Sequence, residues 1–384
     1  MRLFLFLSLL FLGIMPPAIA QKPVTIAQLE QMLADDASES DGKRAEQLAG
    51  LELTERAGVA RLARWEASFP GKRTQEALLQ LADASSFLDP PAEEIVANLP
   101  PTREADREIL SRVIDYAAKV IPTLPNFIAT RRTIHFEDSP SVPHIEASGA
   151  GASANYHVMR TESFSTGSTK YEPLHVTGRS SFPVTYRDGK EVDDLSKGKS
   201  DRNETVATGL TTSGEFGPIL SVVLNDAFRS HMTWGYWEQG SGGSIAVYRY
   251  AVPQQKSHYL VKFLTLSGWI QIYPAYHGEI AIDPAAGTVL RLTIVAELAP
   301  PFQTISVSNR VDYGPVLIGD RTYICPVKGV ALSRLPAAYS PWDATGLAPP
   351  TALQTRLNDV TFTNYHRFRA DVRILGSSEK LTPQ

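Results

Sequence analysis

Three residues with the chemistry for acid–base catalysis or metal binding, His277, Glu279 and Asp283, lie in the stretch "HGEIAIDPAAGTVLRLTIVAEL" at 277–298. On an extended backbone side chains alternate between two faces, which puts all three on one side with Ala281 between them. Two acids near a histidine can bind a metal, but only two strong ligands fall within one span. The pair of histidines one helical turn apart that marks a zinc-protease helix is absent. A β-hairpin accounts for the same residues. Ile280 and Ile282 would face the core, Asp283-Pro284 would open a turn, Gly287 would close it, and alternation resumes at Thr288. The hairpin is therefore the expected structure, and a hydrolase using His277 and Glu279 is carried only as a third functional reading.

Other catalytic signatures are missing. The chain has no G-x-S-x-G elbow, no P-loop and no dinucleotide fingerprint leading into a helix. "GSGG" at 240–243 lies between strand-like runs and reads as a hairpin loop. Cys325, in "YICPV", shares a strand face with Tyr323 and Val327 and reads as a buried structural thiol. The eight histidines are scattered without a ligand spacing. Arg131-Arg132 and Arg367, Arg369 and Arg373 read as solvated strand faces or edge protection. No catalytic residue, cofactor or metal is assigned. Aromatic residues are more suggestive. Trp234, Trp237, Tyr248, Tyr250 and Trp269 are close in sequence and are the candidate lining of an apolar ligand cavity. Alternation can turn only half of them inward, and the same rings could simply fill the space between a sheet and its covering helix.

The elements that must position these residues follow from the chain as a whole. Residues 1–20 read as a secretory signal. Arg2 is followed by an apolar run from Leu3 to Met15, and Ala18-Ile19-Ala20 offers a small-x-small cleavage site. The run is too short to span a bilayer, and no integral membrane span is expected elsewhere. Cleavage near Ala20 implies a periplasmic or extracellular location. The remaining chain has 36 basic and 41 acidic residues, which gives no basic field for nucleic acid. With one cysteine no intrachain disulfide can form, so burial must stabilise the fold.

The hydrophobic period changes near residue 123. Residues 24–122 read as a small all-α helical domain. "VTIAQLEQMLA" has Thr25 as cap and Ile26, Leu29, Met32 and Leu33 on one stripe. "LELTERAGVARLARWEASF" places Leu53, Ala57, Leu62 and Trp65 at helical spacing before Pro70-Gly71. Thr74 is the expected cap of the next helix, and a last one runs from about Thr102 to Val120. From Asn126 the period is two. Asp188-Gly189 and Gly319-Asp320 mark tight hairpins, and nine or ten strands are expected up to residue 375. One helix, in "GEFGPILSVVLNDAF", interrupts them. Ser139 to Ala154 and Leu335 to Pro350 read as loose loops. The expected class is α+β: helices first, then a curved, mostly antiparallel half-barrel over 126–375, covered by a helix.

The hairpin "IAIDPAAGTVLRLTI", followed by "VDYGPVLIGDRTYICPVKGVAL" and "TFTNYHRF", resembles the periplasmic lipoprotein-carrier and lipoprotein-sorting superfamily over roughly residues 126–375. That resemblance implies a half-open antiparallel barrel that shelters acyl chains. The whole chain also resembles an uncharacterised family of secreted bacterial proteins that share "LELTERAGVARLARWE" and "LPNFIATR". A helical segment of this size before the barrel departs from the carriers. The leading expectation is a non-enzymatic envelope protein that binds a lipid, an acyl chain or an apolar segment of a partner. The alternative is a protein-interaction scaffold with a filled barrel, its helices docking an envelope protein.

Overall fold

A computed structural model describes residues 21–35, 39–119, 121–139, 143–147, 164–168, 171–193, 218–240, 242–265, 268–302, 305–336 and 353–367. The expected signal segment and most of both expected loops lie outside these residues. The first part of the chain forms β1 (Lys22–Val24), α1 (Ile26–Asp35), α2 (Asp41–Ala49), β2 (Leu51–Leu53), α3 (Val59–Ser68), α4 (Lys72–Ala84), β3 (Ile95–Val96) and α5 (Arg103–Lys119). Thr25 caps α1 as its position predicts. Its hydroxyl accepts from the Gln28 amide at 3.2 Å, and the Gln28 side chain accepts from the Thr25 amide at 2.9 Å.

Two expectations for this part need correction. It is not all helical. Leu51 and Leu53 are buried on either side of exposed Glu52, a period of two, and β2 pairs in parallel with β1 while the helix waits until Val59. Thr74 is not a cap either, because α4 begins two residues earlier. Its first turn is capped from α2, where Asp41 accepts from the amides of Thr74 at 2.8 Å and Arg73 at 3.2 Å. These bonds and the Thr74 hydroxyl hold the Asp41 carboxyl below its ordinary range. A Cβ on Gly71 would lie 2.2 Å from Asp41 Oδ1, so the contact needs glycine. Ile26, Leu29, Leu48, Leu53, Leu62, Trp65, Leu78 and Leu81 close one core among these helices.

The rest of the chain forms β4 (Phe127–Ser139), β5 (Pro143–Ala147), β6 (Phe164–Ser168), β7 (Glu172–Arg187), β8 (Lys190–Asp193), α6 (Pro218–Phe228), β9 (His231–Gly240), β10 (Gly243–Val252), β11 (Val261–Thr265), β12 (Gly268–Ile272), β13 (Ala275–Ile282), β14 (Val289–Glu297), β15 (Ser306–Ile318), β16 (Arg321–Pro336) and β17 (Leu353–Arg367). The main sheet has eleven strands in the order β3-β9-β10-β13-β14-β15-β16-β17-β4-β7-β8. Every pairing in it is antiparallel, and it is open between β3 and β8, not closed into a barrel. The expected hairpins form. Asp188 and Gly189 both take positive φ, 53° and 77°, the backbone that a two-residue turn requires, and Gly319 turns β15 into β16 at φ 70°. Pairs β5–β6 and β11–β12 stand outside the main sheet.

Alternation gives the sheet two unlike faces. On one, α5 and α6 cover Tyr248, Tyr250, Tyr276, Ile280, Ile282, Leu292, Ile294 and Val311, with Ile109 and Val113 from α5 and Ile219, Leu220, Val223 and Leu224 from α6. Two helices therefore cover this face, where the sequence pattern shows one. On the other face, Leu79 and Ala84 of α4 and Phe87 just beyond it pack onto Phe136, Leu174, Val330 and Leu357. Alongside that apolar contact lies a layer of paired charges. No helix among the described residues is long and apolar enough to cross a membrane.

Candidate functional site

Four of the five candidate lining residues come together. Trp234 packs edge-on against Trp237 at 4.8 Å and Tyr248 at 5.4 Å between ring centroids, and Tyr250 meets Tyr276 at 5.9 Å. A one-residue irregularity between β9 and β10 near Val247 and Tyr248 lets Trp234 and Trp237 share a face despite their odd spacing. Tyr248 and Tyr250 are 1% and 3% exposed and belong to the core under α5 and α6, while the two tryptophans are partly buried at its rim. Each buried hydroxyl has a partner. Tyr248 donates to Asp106 at 2.7 Å, at the start of α5, and Tyr250 donates to the Thr293 carbonyl at 2.7 Å. Burial, and for Tyr248 the neighbouring Asp106, pushes both phenols above their ordinary range. Trp269 lies on β12, in the separate two-stranded sheet.

His277, Glu279 and Asp283 do not form one site. His277 is on the sheet surface and bonds Glu297 through Nδ1 at 2.7 Å. Asp283 makes the turn. Its side chain accepts from the Ala285 amide at 2.9 Å, and its backbone exchanges bonds with Thr288 and Gly287. Gly287 has φ 71°, and a Cβ there would meet the Arg112 backbone at 2.4 Å; Arg112 also donates to the Pro284 carbonyl at 2.8 Å. The turn is thus seated on α5. Ile280 and Ile282 are buried in the core, as alternation requires.

Glu279 belongs to the charged layer. Arg56, 2% exposed, reaches Glu238 at 2.7 Å, Glu279 at 3.2 Å and the Tyr236 hydroxyl at 3.2 Å. That hydroxyl in turn donates to Glu279 at 2.9 Å. Arg291 grips Glu238 with both terminal guanidinium nitrogens at 2.8 and 2.6 Å. Arg249 joins Glu279 at 3.3 Å to Asp89 at 2.6 Å and lies over the Tyr236 ring. Burial opposes the Glu238 charge, but Arg291, then Arg56 and Arg310, hold the carboxyl down at about 2. A carboxylate with this many cationic donors has little basicity left. Sequence spacing could not find the cluster, because Arg56 is 182 residues from Glu238.

Another group with usable chemistry lies at the end of α6. Asp226, 1% exposed, accepts from the Tyr276 hydroxyl at 2.8 Å, the His258 amide at 2.8 Å and His258 Nδ1 at 2.7 Å. Such a carboxylate orients the imidazole, whose side chain is 65% exposed. The sequence held one signal for it: Asp226 is the sole charge in the apolar run "PILSVVLNDAF". Among the described residues no group of three or more His, Cys, Asp or Glu is placed to hold a metal ion. Cys325 is fully buried, and burial pushes its thiol up to about 12, far from a nucleophile's range.

The chain matches no family model, no curated protein and no solved structure. Its function has to be read from its own geometry.

Proposed function

We propose that this chain is an exported, non-enzymatic interaction protein of the cell envelope, in which a filled sheet serves as the platform for its N-terminal helices. One observation carries the reading. The sheet face that would shelter a ligand is occupied by α5 and α6, with Tyr248, Tyr250 and Tyr276 at 3% exposure or less. Packing of that kind leaves the surface as the place for recognition. Of the seven large apolar side chains exposed among the described residues, Val59, Leu88, Ile95 and Leu99 lie between residues 59 and 99. The partner-facing side is assigned to that segment. A photoactivatable residue at Val59 or Leu99 should cross-link an envelope protein in cells, whereas one at Leu317 should not. Equal labelling from all three positions would remove the assignment.

The second reading is a carrier of lipid or acyl chains, in line with the resemblance to lipoprotein carriers. What favours it is the aromatic rim. Trp234 and Trp237 are only partly buried, and Trp237 donates to the carbonyl of Leu99, whose side chain is 88% exposed. The two readings differ in whether lipid accompanies the folded protein.

A further inference from the structure

Where the end of α4 lands on β16 and β17, two buried acids meet one partly buried base. Lys328 Nζ lies 2.6 Å from Asp83 Oδ1 and 2.9 Å from Asp359 Oδ2. Asp83 and Asp359 are 2% and 4% exposed. If both carboxylates ionise, one partly exposed ammonium faces two negative charges that are themselves buried. An uncompensated buried charge is costly, and two carboxylates at one site relieve the cost by holding a proton between them. Asp83 Oδ2 is buried and receives no hydrogen bond from a described residue, so a proton can be placed on it without displacing a donor. Burial raises the Asp83 carboxyl well above its ordinary range; Lys328 pulls it down and Asp359 pushes it up again. Burial works against the Lys328 charge too, but the two acids more than restore it.

The other charged groups on elements around α4 are engaged elsewhere. On β15, Arg310 is paired with Asp312 at 3.0 Å and reaches α4's flank only through Ser86. On β7, Arg179 pairs with Glu76, and on α2, Asp41 caps the first turn of α4. On α3, Arg61 binds Glu30, Glu93 and Glu94, and Glu52 on β2 is exposed. Among the described residues, Lys328 is therefore the cation paired with both acids.

We propose that Asp83 and Asp359 share one proton at neutral pH, and that this proton fastens α4 and the helices around it to the sheet. In alkaline solution a base removes it, two carboxylates then face one lysine, and the helices loosen. The sign follows from linkage. Unfolded carboxyls release their protons near pH 4 or so, whereas the folded pair keeps one far above that. Its contribution to stability is complete below the unfolded value and is lost as pH rises towards the folded one.

Infrared spectra of the full chain at neutral pH should contain the carbonyl stretch of a buried, protonated carboxylic acid. Asp83→Asn should abolish it. In urea unfolding, the wild-type unfolding constant should rise with pH relative to Asp83→Asn, by up to about tenfold per pH unit. Amide exchange across α4, corrected for its intrinsic pH dependence, should quicken over the same range in the wild type alone. If Asp83→Asn does not fold, Asp359→Asn serves: with one acid beside Lys328, the remaining carboxyl should ionise and the band should vanish. A wild-type spectrum without that band, or equal pH slopes in wild type and variant, would overturn the proposal.

Discussion

The two faces of the main sheet are built by the same strands and solved in opposite ways. On β10, Tyr248 and Tyr250 enter the helix-covered core while Arg249 between them turns to the charged layer. On β13, Ile280 and Ile282 flank the core and Glu279 binds Arg56; on β14, Leu292 and Ile294 do the same opposite Arg291. The apolar face tolerates any shape-compatible neighbour, so it supplies stability. The charged face accepts only a partner that brings Arg56, Asp83 and Asp89 to the right places, so it supplies register between the helices and the sheet. Buried ion networks of this sort often add little net stability, yet removing one member is severe because the others stay buried without it.

Each face of the sheet can be disrupted without touching the other. Tyr276→Ala should cost the most, about 3–5 kcal/mol in urea unfolding, since it opens the core under α6 and strips a donor from Asp226. Arg56→Ala should come close, at about 3–5 kcal/mol, by leaving Glu238 and Glu279 short of a cation. A double replacement that also neutralises Glu238 should recover part of that loss, which a purely apolar site would not do. Acid sharpens the contrast. Glu238 is held down at about 2, so its stabilisation is present above the unfolded carboxyl range and disappears as pH falls from about 4 towards 2, on the order of 3 kcal/mol in total. Arg291→Ala should remove most of that acid sensitivity. Gly287→Ala should cost about 1–3 kcal/mol through its positive φ and its contact with Arg112. At the small end, His277→Ala should stay within about 0.5 kcal/mol, because the ring sits on the surface with an exposed partner.

Local pattern made much of this legible. Thr25 as a cap, the Asp188-Gly189 turn, the hairpin at 277–298 and α6 all follow from spacing of a few residues. What spacing could not reach was pairing across the chain. Leu51 and Leu53 look helical beside Leu62 and Trp65, and only pairing with Lys22–Val24 makes them a strand. Asp41 replaces Thr74 as the cap of α4 because α2 delivers it from 33 residues away. The aromatic residues are visible in the sequence, but Trp234 and Trp237 share a face through a register irregularity that strict alternation does not foresee. The charged layer is dispersed over residues 56 to 359, so its members read as ordinary surface charges until the helices are docked.

Native mass spectrometry of gently extracted protein is the most direct measurement of whether the helix-covered face is filled by the chain itself. A single species with the mass of the polypeptide alone is expected, unchanged after delipidation. A stoichiometric lipid or fatty-acid adduct, lost when Tyr248 or Trp234 is replaced by a bulky polar residue, would contradict it.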